Sequence, residues 1–177
     1  MGAKSQKNGS DYEKNHSVMN ECIASGKYDV VPSGEGEYYV FEKGSDIYCA
    51  TILIGWGFYR YLKEHSIKDD WKEITSKTMI PDCVVIVGNV WHIVEFKSQE
   101  KGRTSQDDML LYCGHRKSEF AKIIRNGAGF MRDRVEFHYN LSETFNDPRM
   151  ASHFEYIKDK LKCDYYFEEI PLDVFGL

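Results

Sequence analysis

The sequence predicts an α/β fold, a single domain with a central mixed β-sheet flanked by helices. Two β-branched runs, Cys83–Val87 and Val90–Lys97, are joined by Gly88-Asn89, a two-residue turn of the kind that takes positive φ, and so read as a hairpin. Stretches of apolar residues at helical spacing precede that hairpin and alternate with strands after it, as expected when helices cover a sheet. The length, 177 residues, and a composition 42% hydrophobic and 14% aromatic are those of one globular domain with a substantial core.

Residues 1–9 are small, polar and basic and read as a flexible polar arm ahead of a folded domain over 10–177. Ser10-x-x-Glu13 is a capping-box pattern, and Tyr12, Val18, Met19, Cys22 and Ile23 give partial helical periodicity as far as Gly26. Tyr28–Val31 and Glu37–Glu42 read as strands around a Pro-Ser-Gly-Glu-Gly loop, and Tyr48–Ile54 as another, running into a helix from Phe58 to His65. Trp71–Thr75 is a short element before the hairpin. Beyond a loop at 100–105, Gln106–Arg125 has helical character through Met109, Leu110, Cys113, Phe120, Ile123 and Ile124, until Gly127-Ala128-Gly129 stops it. Arg134–Leu141 alternates as a core strand, and Ser152–Leu161 is a further helix. Tyr165-Tyr166-Phe167 and the tail close the chain. No internal repeat or low-complexity segment is visible.

Composition excludes several functions. The longest apolar stretch, Ala50–Tyr59, is too short and too interrupted by glycine to span a bilayer, and the polar N-terminus has no signal-peptide core, so no membrane association is expected. Cys22, Cys49, Cys83, Cys113 and Cys163 are odd in number and lack a CxxC pair, which predicts a cytoplasmic protein with neither a disulfide framework nor a zinc site. The six histidines lack ligand spacing. No Gly-rich phosphate loop follows a strand, so no nucleotide cofactor is expected. The net charge of −5 argues against indiscriminate coating of nucleic acid, yet Lys97–Arg134 holds nine Lys/Arg against five acids. That stretch is either a solvated helix face or the one basic face a DNA-cleaving enzyme needs.

Chemistry concentrates at the base of the hairpin. Centring the turn on Gly88-Asn89 pairs Val87 with Val90, Ile86 with Trp91, and finally Asp82 with Glu95. Side-chain alternation then puts Asp82, Glu95 and Lys97 on one face with Val84, Ile86 and Ile93, while His92 faces the other way as a core or interface histidine. Opposed carboxylates are destabilising unless a cation lies between them. Hard oxygen ligands of this kind suit Mg²⁺, with the Phe96 carbonyl as a further ligand. Lys97, one pleat beyond, is placed to orient an attacking water and to neutralise developing charge. That is equipment for hydrolysing a phosphodiester.

Pro81-Asp82, a hairpin and Glu95-x-Lys97 together resemble the signature of the PD-(D/E)XK nuclease superfamily, and further features resemble its type II restriction endonuclease branch. Lys4–Glu13 is similar to the Gly-x-x-x-Glu opening of the first helix, whose Glu approaches the metal site. Glu13 therefore has two readings, helix cap or metal-site residue. Glu95-Phe96-Lys97-Ser98-Gln99 extends the motif to Glu-x-Lys-x-Gln, adding Gln99. Gly102–Asp108 resembles the Gly/Thr-rich segment that often follows, and Ile170–Leu177 the closing strand and tail. The region from Lys27 to Lys77 has no counterpart. The resemblance implies a restriction endonuclease-like core, Mg²⁺ with Mn²⁺ as a substitute, double-stranded DNA as substrate and a homodimer that cuts both strands. Arg103, Gln106, His115, Arg116 and Lys117, just downstream of the catalytic strand, are the expected contacts to nucleic acid. A structure-selective nuclease such as a Holliday-junction resolvase or repair nuclease would use the same catalytic residues. A catalytically silent DNA-binding domain of the same fold is the alternative from another class.

Overall fold

The computed structural model describes residues 12, 16–68, 74, 78–98 and 107–177. They form one seven-stranded mixed sheet whose spatial order follows the chain: β1 (Tyr28–Gly34), β2 (Glu37–Glu42), β3 (Tyr48–Ile54), β4 (Cys83–Val87), β5 (Val90–Lys97), β6 (Arg134–Leu141) and β7 (Asp164–Phe167). Strands β1 to β5 form an antiparallel meander, and β6 and β7 add to it in parallel. Antiparallel neighbours need only tight turns, whereas each parallel step needs a crossover. Helices α3 (Cys113–Ala121) and α4 (Ala151–Asp159) supply the two crossovers.

Alternation along the strands sorts the core into two layers. Leu53, Val84, Ile86, Trp91, Ile93, Phe137 and Tyr139 point to one face and pack against α2 (Gly57–His65), α3 and α4 through Phe58, Leu62, Phe120 and Ile157. On the other face Ala50, Ile52, Cys83, Val85, Val94 and Phe96 meet α1 (Val18–Ser25) and the C-terminal segment through Val18, Cys22, Ile170 and Phe175. The sheet is therefore covered on both sides, as an α/β fold requires.

Local chemistry sets the boundaries. Ser17 caps α1 by accepting the Asn20 N–H, and Gly26 ends it in the left-handed conformation at φ 67. The expected capping box at Ser10 and Glu13 lies outside the described residues. β1 runs through the predicted Pro-Ser-Gly loop as far as Gly34, with an irregularity after Pro32. Proline is tolerated there because β1 is an edge strand. The β4–β5 hairpin turns at Gly88 with φ 57 and Asn89 negative, the pattern of a type II′ turn.

Two elements differ from expectation. The helix predicted over Gln106–Arg125 is a single turn at Asp107–Leu110, then α3, then a π-helical segment over Lys122–Gly127. The break falls at Leu111-Tyr112, where Tyr112 is exposed, and the widened turn buries Ile123 and Ile124 together. The tail expected as a closing strand is a 3₁₀ turn, Leu172–Phe175, because the sheet ends at β7 and Phe175 inserts beneath β5 and β6 instead. Of the segment 71–75 only Ile74 is described, and it is helical; the loop at 100–105 lies outside the described residues. No helix among the described residues is long and apolar enough to cross a membrane.

Candidate active site at the base of the hairpin

The β4–β5 register is Val87 with Val90, Ile86 with Trp91, and so on to Cys83 with Val94, which leaves Asp82 at the level of Glu95. Two contacts fix Asp82 and a third holds the segment before it. Its carbonyl accepts the Gly55 N–H at 3.2 Å, its Oδ2 accepts the Phe96 N–H at 2.8 Å, and the approach to it is held where Tyr59 donates to the Met79 carbonyl at 2.8 Å. The carboxylate thus takes the place a β4 ladder partner would have had, just past the end of that strand. In a strand the N–H and C=O of one residue point the same way, so the Phe96 carbonyl also faces this open side.

Glu95 is 1% exposed. A buried carboxylate needs charged partners, and it has two: Lys97 Nζ donates to Oε2 at 3.0 Å and Arg116 Nη2 donates to Oε1 at 2.5 Å. Lys97 Nζ also lies 3.7 Å from Asp82 Oδ2. The ammonium group therefore stands between the two acids, where a cation serving both would stand. Burial pushes the Glu95 carboxyl up to about 7; Lys97 opposes this, Asp82 reinforces it, and Arg116 opposes it.

Arg116 approaches from α3 across the sheet, its guanidinium 5.9 Å from the Phe120 ring. Tyr139, the cross-strand neighbour of Glu95 on β6, walls the site beneath, its hydroxyl donating to the Met109 carbonyl at 3.5 Å. A cavity of about 380 Å³ opens beside Arg116, lined by Thr78, Met79, Ile80, Tyr112 and His115. It is large enough for part of a nucleotide and is continuous in sequence with Asp82 through Ile80 and Pro81.

The structure thus brings Asp82, Glu95, Phe96 and Lys97 together. Glu13, Gln99, Arg103 and Gln106 lie outside the described residues. The three expected nucleic-acid contacts that are described diverge. His115 is exposed at the cavity rim, whereas Lys117 donates to the Lys162 carbonyl on the far side of α3. Arg116, expected among contacts to nucleic acid, is instead engaged with Glu95. Its distance of 21 residues from Glu95 hid this from the sequence, because only the crossover helix folding back over β5 joins them. His92 points away from the acids, as its parity on β5 predicts, and is buried against His138.

The donor set fits a hard divalent cation. Two carboxylates and a backbone carbonyl converge on the open side of β4, and a positive group already reaches both acids. Comparison with protein-family models, curated proteins and solved structures finds no match to this chain.

Proposed function

We propose that this protein is a metal-dependent endonuclease of the PD-(D/E)XK type that hydrolyses phosphodiester bonds in double-stranded DNA, working as a type II restriction endonuclease and as a homodimer. One observation carries the reading: the Lys97 ammonium lies 3.0 Å from Glu95 and 3.7 Å from Asp82 at the base of a hairpin. Two acids, one almost fully buried, share that lysine, and Arg116, which also holds Glu95, lines the neighbouring cavity; this arrangement supports the reading. A mixed sheet flanked by helices is also the core that the sequence resemblance implies.

Asp82, Glu95 and the Phe96 carbonyl would hold Mg²⁺, or Mn²⁺ in its place. When bound, the ion supplies Lewis acidity at the phosphoryl oxygens and a more acidic water. Lys97 contributes positive charge where the pentavalent phosphate gains negative charge, and its three donors can orient the attacking water. Arg116 holds the Glu95 carboxylate in one orientation from the side opposite Lys97. Tyr112, exposed at the cavity rim, offers a flat surface to a base or sugar.

The test is digestion of a fully sequenced, unmethylated phage DNA in Mg²⁺, with Lys97→Ala as control. Discrete fragments are expected, and Lys97→Ala should lower the cleavage rate by about 10²–10³-fold without unfolding the protein. Loss of fold in that variant would make Lys97 structural. Cutting of four-way junctions in preference to linear duplex would move the assignment to a structure-selective nuclease, and DNA binding without cleavage to a silent domain. Glu95 serves a cation only as a carboxylate, so the Mg²⁺ concentration needed for cleavage should fall as pH rises through about 7.

A further inference from the structure

β5 carries a second polar cluster on its opposite face. His92 on β5 and Glu136 on β6 are cross-strand partners, and His138 lies one pleat further along β6. The three therefore share a face, away from Glu95 and Lys97. The His92 and His138 side chains are 5% and 1% exposed, whereas Glu136 is 31% exposed and lies towards the rim. His92 Nδ1 is 3.0 Å from His138 Nε2 and 3.7 Å from Glu136 Oε2. One potential ligand atom from each residue lies within 4.8 Å of the other two.

We propose that His92, Glu136 and His138 form a transition-metal site for Zn²⁺ or a cation of similar softness, distinct from the acid site and independent of the nuclease reading. A tetrahedral ion with ligand bonds of about 2.0–2.1 Å separates its ligand atoms by roughly 3.3 Å. The His92–His138 and His92–Glu136 edges, 3.0 and 3.7 Å, bracket that value and the third lies within 4.8 Å, so side-chain adjustment alone would seat the ion. Two imidazoles and one carboxylate, with a water in the fourth position, are a familiar ligand set for zinc and suit neither Mg²⁺ nor Ca²⁺.

The surroundings support a site rather than a chance contact. Phe175 stands edge-on to both rings at 5.2 and 5.8 Å, closing the site from below and fixing the ring planes. Arg134 donates to Glu136 Oε1 at 3.1 Å, which turns Oε2 toward His92. His138 Nδ1 is buried without a hydrogen-bond partner, 4.0 Å from Asp164 Oδ2 on β7. That nitrogen is on the side of the ring opposite the proposed ligand atom. A metal on Nε2 requires the proton to be on Nδ1, where it faces the Asp164 carboxylate. This is the carboxylate–histidine–metal arrangement, with Asp164 as the positioning residue. Without a metal, the facing nitrogens must share a proton, so metal binding moves that proton to the far side of a ring. Burial already favours the neutral form of both imidazoles, so neither has to lose a charge near neutral pH.

The test is titration of chelator-stripped protein with Co²⁺, followed by its visible d–d bands and then by displacement with Zn²⁺. One equivalent with an intense tetrahedral spectrum is expected in the wild type and equally in Asp82→Asn, which disables the acid site but not this one. His92→Gln should abolish the bands, while Glu136→Gln and Asp164→Asn should weaken Co²⁺ binding by about 10-fold or more. Glu136 and Asp164 are partly exposed, so those variants stay informative if the buried histidine variant fails to fold, as checked by circular dichroism. A weak octahedral spectrum, bands lost in Asp82→Asn, or affinity unchanged in folded Glu136→Gln would each overturn the proposal.

Discussion

The two faces of β5 bury polar groups in opposite ways. On one, Glu95 is a buried acid compensated by two cations, Lys97 from the end of the same strand and Arg116 from α3. On the other, His92 and His138 are buried bases compensated chiefly by each other, with the Glu136 carboxylate beside them. Burial disfavours charge in both cases, which raises the pKa of the acid and lowers that of the bases. The acid face places its full charges directly on the buried group, whereas on the histidine face the Arg134–Glu136 pair lies towards the rim. The difference teaches that one strand can present a charged site and a neutral one three residues apart, provided the sheet separates them.

That contrast makes the pH dependence of stability the largest test, measured with chelator present. Glu95 is pushed up to about 7 by burial, opposed by Lys97, reinforced by Asp82 and opposed by Arg116. The folded state then binds the extra proton, so this contribution is full below about 4.5 and is lost as pH rises through about 7. Its size is on the order of 3 kcal/mol. His138 is pushed down to about 3 by burial, then by His92 and Lys117. Here the unfolded state binds the extra proton, so stability is present above the ordinary histidine pKa and is lost as pH falls toward about 3. Between about 4.5 and 6.5 the two slopes oppose each other. Glu95→Gln should therefore leave a stability curve that only rises over that window, read by chemical denaturation at each pH. A curve that keeps its fall toward pH 7 would mean that Glu95 is not the buried acid responsible.

Removing one cation is the next test. Arg116→Met leaves Glu95 with Lys97 alone, and should cost about 2 kcal/mol more at about pH 8, where the carboxylate is charged, than at about pH 5. An equal cost at both would make Arg116 a packing residue rather than a partner in charge. The smallest effect belongs to the histidine face, where the Tyr12 hydroxyl donates to Asn140 Oδ1 at 2.8 Å. Tyr12→Phe should lower stability by about 1 kcal/mol with no change in either pH slope, as seen in the denaturation midpoint.

What the sequence made legible follows the same division. The pairing of Val87 with Val90 and of Ile86 with Trp91, and the shared face of Asp82, Glu95 and Lys97, could be read because a two-residue turn fixes a hairpin register. The strands over 37–42, 48–54 and 134–141 were legible from β-branched and aromatic alternation. The register between β5 and β6 was not, since parallel strands are aligned by a crossover helix and carry no local signature. The histidines were accordingly read as lacking ligand spacing, although His92 and His138 meet at 3.0 Å. The pairing of Arg116 with Glu95 was hidden for the same reason. The helical run over 106–125 hid its break because apolar spacing continues across Leu111-Tyr112, and only tertiary packing decides which turn opens.

The strand order also bears on how the chain reaches this state. Because the sheet grows in sequence order, Asp82 finds the Phe96 amide across a loop of only 14 residues, whereas His92 finds His138 across 46. Closing the longer loop costs about 1 kcal/mol more chain entropy, and the crossover helix must be in place to align it. The Asp82–Phe96 contact is therefore the more local of the two. The histidine pair reports on late assembly, and its ring resonances would be a direct probe of when β6 docks.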